Sequence, residues 1–412
     1  MSGSRWTLEI GSIAAGGDGV ARHDGLVVFV PRTAPGDRVV ADVTQKGRLA
    51  RGRVLHVEAE GPGRVAASCV HYERDRCGGC QLQHLSLDAQ HAAKREIVRD
   101  SLRRIARRDV PLPELRHGAH AWEYRRKLSL AIRRDATGVR AGLHQWDDPD
   151  RVFALEECRI ADPRLVAIWR EVLAAERWLP REPRLRGSVR LAGEGASFVL
   201  EGGAEWSQHA SFAAHVPAVD AVWWVPEGGK RRLLHDRRSD ATPSASFAQV
   251  NPEVGAMLAA FVEARAMAYA PRRVVDAYAG AGDVAAALSA RGCRVTAIEL
   301  DREATAFSAT RLAAGSTAVA ARVEDALADA LPADVVILNP PRAGVDVRVT
   351  ALLAAGAPRP RAIIYVSCDP ATLARDVARL GGWRIASLTA FDMFPQTAHV
   401  ETVCELVPED PA

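Results

Sequence analysis

Along the first sixty positions, polar and apolar residues alternate in short runs: Trp6 to Ile10, Gly25 to Val30, Arg38 to Val43 and Arg51 to Val57. The spacers between the runs read AAGGDG, APGD and QKGR. Two-residue alternation broken this closely by glycine turns predicts a small OB-like antiparallel β-barrel over residues 1–60. Residues 61–240 are less regular and read as an α+β domain. Within them, Asp88 to Arg108 has helical period, with Ile97, Val98, Leu102 and Ile105 apolar. Arg99, Arg103 and Arg107 recur at i+4 with Arg104 and Arg108 beside them. That basic face reads either as solvated helix surface or as a stripe that meets phosphates. Ser188 to Asp236 alternates as strands do.

From residue 241 the rhythm becomes α/β. Buried-type strands are predicted at Arg273 to Tyr278, Arg294 to Glu299, Asp334 to Leu338 and Arg361 to Ser367, with helical stretches between. This is the pattern of a doubly wound, Rossmann-like parallel sheet. Arg384 to Phe391 and His399 to Val407 lie close enough to add an antiparallel end. Three domains are therefore expected, over 1–60, 61–240 and 241–412.

Composition narrows the class. The 54 Lys plus Arg nearly balance 51 Asp plus Glu, so any nucleic-acid-binding surface must be local. The N-terminus has no signal-peptide core, and no apolar run approaches the roughly 18 residues of a membrane span. Seven cysteines, an odd number, point to metal binding or catalysis rather than to a disulfide framework, and place the chain in the cytoplasm.

The candidate chemistry sits at strand ends. The run DAYAGAGD, Asp276 to Asp283, brings glycines to the end of a strand, where a ligand can approach the backbone. The next strand ends in IELD, Ile298 to Asp301, an acidic position about twenty residues on that suits a ribose diol. Together they imply a ribose-bearing cofactor, without separating a dinucleotide from S-adenosylmethionine. Asn339-Pro340-Pro341-Arg342 is a rigid turn able to hold Asn339 against a flat base. Cys368 follows a buried strand in YVSCDP, and Glu401 stands in the β-type run HVETV. Singly, these read as a buried thiol and a solvated strand residue. Together they supply the soft nucleophile and the base that methylation of a pyrimidine at carbon 5 requires.

With these stretches in order, the sequence resembles the RNA 5-methyluridine methyltransferase family, in the branch carrying a TRAM domain and a [4Fe–4S] cluster. The resemblance rests on FAQVN (247–251), DAYAGAGD, IELD, NPPRAG (339–344), YVSCDP and HVETV. It implies an RNA-binding TRAM barrel at the N-terminus. It also implies S-adenosylmethionine held by Gln249, Tyr278, Gly280, Gly282, Asp283, Glu299, Asp325 and Asn339, with Cys368 as nucleophile and Glu401 as base. The family usually has Asp at position 339 and Asn at 283, a paired change that leaves formal charge unaltered. An exocyclic-amine methyltransferase using the Asn-Pro-Pro turn, or a relative that binds RNA without turnover, are the alternatives. Ribosomal RNA is the implied substrate, with transfer RNA second, and a monomer is expected.

Cys69, Cys77 and Cys80 form C-x7-C-G-G-C, and Cys158 lies far downstream. Spacing alone suits tetrahedral zinc or an iron–sulfur cluster and would favour zinc. The resemblance assigns all four to a [4Fe–4S] cluster. Cys293 and Cys404 read as core.

Overall fold

The computed structural model describes residues 4–136, 138–193, 195–239, 243, 249–356 and 358–409. Its contacts divide into two units: Met1–Ser68 with Cys80–Gly118 and Ala256–Ala412, and Cys69–Gly79 with Ala119–Gly255. No described helix is long and apolar enough to cross a membrane.

The first unit opens with β1 (Ser4–Ile13), β2 (Gly19–His23), β3 (Leu26–Val30), β4 (Arg38–Lys46) and β5 (Leu49–Ala59). They close into a barrel in the order β1-β2-β3-β5-β4. Alternate residues Leu8, Ile10, Val28, Val30, Val39 and Ala41 fill its interior. Gly52 sits where a Cβ would press on Val30 and Ala41 at 3.1 and 3.3 Å, so the barrel leaves no room for a side chain there. The short strand β2 lies inside the AAGGDG-to-Gly25 interval and has too few apolar residues to stand out in the sequence.

The predicted helix over 88–108 is α-helical at Leu87–Ser101, capped by Ser86, and continues as a π turn over Leu102–Ala106. It ends on Arg107 in the left-handed region, φ 57°. Four of the five arginines of that face meet carboxylates: Arg99 with Glu96 at 2.6 Å, Arg103 and Arg104 sharing Asp100 at 2.7 and 2.9 Å, and Arg108 with Glu409 at 3.4 Å. These pairs offset part of the positive charge of that face. The helix packs its Ala93 and Ile97 with Ile13 and Ala34 of the barrel region, Leu82, Leu85 and Ala398.

After β6 (Glu114–Arg116) the chain enters the second unit. There β7 (Lys127–Asp135), β8 (Gly138–His144), β9 (Val152–Ala154), β10 (Arg184–Ala192), β11 (Gly195–Glu201), β12 (Ala221–Val225) and β13 (Arg232–Asp236) form one sheet, ordered β13-β12-β11-β10-β7-β8-β9. Helices Pro163–Ala174 and His209–His215 cover one face through Leu165, Trp169 and Phe212. A Cβ at Gly187 would lie 2.5 Å from Trp169 and 2.9 Å from Phe198, so the glycine lets the helix seat on the sheet.

Back in the first unit come β14 (Arg273–Ala277), β15 (Arg294–Glu299), β16 (Thr317–Ala320), β17 (Val335–Leu338), β18 (Ala362–Ser367), β19 (Trp383–Phe391) and β20 (Glu401–Pro408). The sheet order is β16-β15-β14-β17-β18-β20-β19-β6. Strands β14 to β18 are parallel, and β20 is antiparallel to both β18 and β19. Val275, Ile298, Val336 and Ile363 lie in the core beneath the helices. The chain runs outward from β14 to β16 and then crosses to β17, so order reverses between β14 and β17. Open α/β sheets bind ligands at the carboxyl ends of strands at such a reversal.

Candidate active site

Four strand ends meet that carboxyl edge: β14 runs into Tyr278–Gly282, β15 ends at Glu299, β17 runs into Asn339 and β18 into Cys368. Strand β20 is antiparallel to β18, so its first residue, Glu401, starts at the same edge. The register Ser367↔Thr402, carried one residue further, sets Cys368 opposite Glu401.

At the β14 end the backbone turns sharply, with Tyr278, Gly280 and Gly282 all at positive φ, 62°, 56° and 78°. A Cβ on Gly280 would meet nothing within 4 Å, so its backbone borders open space. A Cβ on Gly282 would collide with the Ser308 Oγ at 2.1 Å, which ties the turn to helix Arg302–Arg311. The amide of Gly280 donates to Glu299 Oε2 at 3.0 Å and that of Asp301 to Glu299 Oε1 at 2.7 Å. These two bonds fix the carboxylate and leave further lone pairs for a diol. Asn339 holds β14 through its own amide, 3.2 Å from the Ala277 carbonyl, while no hydrogen bond among the described residues engages its carboxamide. Open backbone, a fixed carboxylate and an unpartnered amide fit a nucleoside-bearing cofactor.

Asp283 begins helix Asp283–Ala290 and pairs with Arg311 at 2.6 Å. Its charge is thus balanced by Arg311; no hydrogen bond among the described residues joins it to Asn339. Asp325, in helix Val323–Ala330, is exposed and pairs with Arg348 at 3.0 Å. Beneath the turn lies Asp276, fully buried, whose carboxyl is pushed up to about 7 by burial, with Asp283 and Glu299 adding to the effect. Gln249 belongs to the second unit, next to Gly255, whose Cβ would meet it at 2.9 Å. Phe247 and Ala248 of the same motif lie outside the described residues.

Glu401 is 3% exposed, and no hydrogen bond or ion pair among the described residues engages its carboxyl. Burial pushes it up to about 8, with Arg342 pulling the other way. Cys368 is half-buried; burial raises its thiol, the Glu401 carboxylate raises it further, and the Arg342 guanidinium opposes both. Arg342 is the member that sequence reasoning missed. It was visible only as the residue after Pro-Pro, and its partners lie 26 and 59 positions away.

Helix Pro370–Arg379 fixes Arg342. The Thr372 hydroxyl donates to the Arg342 carbonyl at 3.1 Å and Arg375 to the Ala343 carbonyl at 2.7 Å. Fully buried Asp376 accepts from the Val345 amide at 3.0 Å and the Tyr365 hydroxyl at 2.7 Å. Gly344, at φ 79°, passes so close that a Cβ would lie 2.3 Å from Asp376 Oδ2. On the other side, the loop leading to Glu401 is held by the helix Leu87–Ser101. Buried Lys94 pairs with Asp392 at 2.5 Å and donates to the Phe394 carbonyl at 3.0 Å, while Gln90 and Gln396 exchange bonds of 3.0 and 2.9 Å.

Cys69, Cys77, Cys80 and Cys158 are all free thiols. By contacts Cys80 falls with the first unit and the other three with the second. The Cys77 sulfur accepts from the Gly79 amide at 3.4 Å, and the half-buried Cys158 thiol is pushed up, chiefly by burial and slightly by Cys69. Among the described residues no three His, Cys, Asp or Glu side chains are gathered to hold a metal ion. Thiols outside any disulfide are a donor type that zinc and an iron–sulfur cluster both use. Cys293 and Cys404 are buried, as core residues are.

A doubly wound sheet with a fixed carboxylate, a glycine turn and a thiol at its carboxyl edge fits an S-adenosylmethionine-dependent methyltransferase. Comparison with known families agrees. The family model described as tRNA (Uracil-5-)-methyltransferase matches residues 316–407, Methyltransferase small domain matches 244–358, and TRAM domain matches 1–55. The 23S rRNA (uracil(1939)-C(5))-methyltransferase RlmD of Chromohalobacter salexigens is 35% identical over 98% of this chain and 90% of its own. Its namesake in Halomonas elongata is 34% identical over 100% and 91%. The fold matches that of the Pyrococcus abyssi tRNA (uracil-54, C5)-methyltransferase in complex with S-adenosyl-L-homocysteine, with TM-score 0.67, 23% identity, and 97% and 99% of the two chains covered. This chain belongs to the RNA uracil-C5 methyltransferase family.

Proposed function

We propose that this enzyme forms 5-methyluridine in ribosomal RNA by covalent catalysis, with Cys368 as nucleophile and Glu401 as base. The observation that carries the mechanism is the register that sets Cys368 opposite Glu401, with Arg342 acting on both. Uracil carbon 5 is a weak nucleophile. Addition of the Cys368 thiolate to carbon 6 forms the S–C6 bond and moves the ring π electrons to the carbonyl-4 oxygen, making an enolate that is nucleophilic at carbon 5. S-adenosylmethionine, when bound, would supply an electrophilic methyl group to that carbon, its S–CH3 bond breaking to leave S-adenosylhomocysteine. Glu401 then takes the carbon-5 proton, the ring double bond re-forms, and the S–C6 bond breaks to return the thiolate.

The raised Glu401 carboxyl suits the last step, because a base is most effective when its pKa lies near the working pH. Arg342 favours the ionised forms of both groups. Glu299 would hold the ribose diol, with Tyr278, Gly280, Gly282, Asp283, Asp325 and Asn339 completing the cofactor site. Cys69, Cys77, Cys80 and Cys158 would hold a [4Fe–4S] cluster in a structural role; the absorbance of an anaerobically purified sample distinguishes it from zinc. The reading places the protein in the cytoplasm, as a monomer.

RNA carrying 5-fluorouridine tests the mechanism. Fluorine at carbon 5 cannot leave as a cation, so attack and methyl transfer stop at a covalent protein–RNA adduct. The expected result is a denaturation-resistant adduct on ribosomal RNA that is lost in Cys368→Ala. No adduct on ribosomal or transfer RNA despite cofactor binding refutes it, in favour of amine methylation or binding without turnover.

A further inference from the structure

The second unit has a sheet face that the reaction does not use. On β7, β8 and β10, register places Arg184 beside Arg133, Arg133 beside Arg140, and Arg190 beside Lys127, with Arg186 between. Side chains on alternate residues share a face, so these six cations project together. The intervening Leu128, Leu130, Ile132, Leu185 and Val189 point into the core under the helices. Among the described residues Glu201 lies 3.2 Å from Arg186 and Asp135 2.5 Å from Arg140. Lys127 and Arg184 form no ion pair among the described residues, and Arg133 donates only to the Ile132 and Leu185 carbonyls, at 3.1 and 3.5 Å.

We infer that this face of β7, β8 and β10 is a binding track for the phosphodiester backbone of the RNA substrate. The span from Arg184 to Arg190 runs roughly 20 Å along the strand. Cations strung out over that length, with the Ser129–Ser188 hydroxyl pair between them at 2.6 Å, do not converge on one point. A small anion could neutralise only one end, whereas a chain of phosphates can meet the whole row. The protein keeps these like charges together at a cost: the Lys127 ammonium is pushed down by burial and then by Arg190 and Arg186, and Arg133 by burial and then by Arg184 and Arg140. A polyanion relieves that repulsion. The choice of RNA as the polyanion rests on the function proposed above.

The test is direct binding of an unmodified large-subunit ribosomal RNA transcript across a range of salt concentrations. It compares the natural protein with Lys127→Gln/Arg184→Gln/Arg186→Gln. Each phosphate contact contributes about 0.7–0.9 to the slope of log affinity against log salt. The triple variant should therefore lose about 2–3 in slope and roughly a hundredfold in affinity at 0.1 M salt. S-adenosylmethionine affinity and thermal midpoint should hold. An unchanged slope overturns the track, whether or not affinity falls, because a fall without a slope change reports altered structure and not lost phosphate contacts. Glu201→Gln provides a second arm, since removing a carboxylate from the track should tighten binding; weaker binding overturns it. Methyl transfer to the same transcript by the natural protein tests the function independently of the slope.

Discussion

Replacing Glu401 with Gln should make the protein more stable and, at the same time, stall it on its substrate. The side chain is buried without hydrogen-bond partners among the described residues, and its carboxyl titrates at about 8 where an unburied one has 4.5. At pH 7 the folded protein therefore keeps a proton that the unfolded chain has released. A group raised in the folded state gives its full stabilisation below pH 4.5 and loses it as pH climbs towards 8. The interval from 4.5 to 7 corresponds to up to about 3 kcal/mol at pH 7. Gln has nearly the same shape and never ionises, so Glu401→Gln escapes that loss. Its advantage in denaturant unfolding should be largest at pH 7 and above and should vanish towards pH 4.5. Turnover should fall ~10²–10⁴-fold for want of the base. Because addition and methyl transfer precede the missing step, an adduct should accumulate on ordinary uridine-containing RNA and be visible on a denaturing gel. A stability difference independent of pH, or turnover lost without any adduct, would refute the reasoning.

Arg342→Met removes the cation that favours ionised Cys368 and Glu401, so the rising limb of the turnover–pH profile should move to higher pH; an unmoved limb removes Arg342 from the pair. Tyr365 and Val345 both donate to Asp376 Oδ2 while Arg375 and Arg379 donate to Oδ1, so Asp376→Asn, with one carbonyl oxygen, cannot serve both sets, at a cost of about 1–3 kcal/mol. Thermal midpoint and turnover should fall together while cofactor affinity, measured by calorimetry, stays. Glu299→Ala should weaken S-adenosylmethionine binding tenfold or more, since a hydrogen bond to a charged group contributes about 1.5–3 kcal/mol; trapping on 5-fluorouridine RNA should recover at saturating cofactor. Lys94→Met removes the ammonium from the buried Asp392 carboxylate, leaving it His91 at 3.0 Å, and should destabilise the protein by up to about 3–5 kcal/mol, read as a lowered denaturation midpoint.

Much of the catalytic sheet was legible because buried parallel strands are near-continuous apolar runs, such as Val335–Leu338 and Ala362–Ser367. Glycines and an acidic strand end marked the cofactor loop because backbone approach and diol recognition demand those residue types at that spacing. The short strands Gly19–His23, Glu114–Arg116 and Thr317–Ala320 were not legible, having too few residues to show a period.

Sequence by itself therefore determined which chemical groups are present: a thiol and a carboxylate after strand-like runs, a glycine turn, four cysteines outside the catalytic region. Tertiary structure decided how they act. Carboxylates offset part of the arginine row over Arg99–Arg108, and strand register gathered another row on one face of the second unit's sheet. Only the antiparallel pairing of β18 with β20 brings Cys368 opposite Glu401, and only the ties from Thr372, Arg375 and Asp376 hold the loop that carries Arg342. The reason is physical. Residue type fixes what a group can do, whereas burial and the charges brought beside it by distant parts of the chain fix its protonation and its reach.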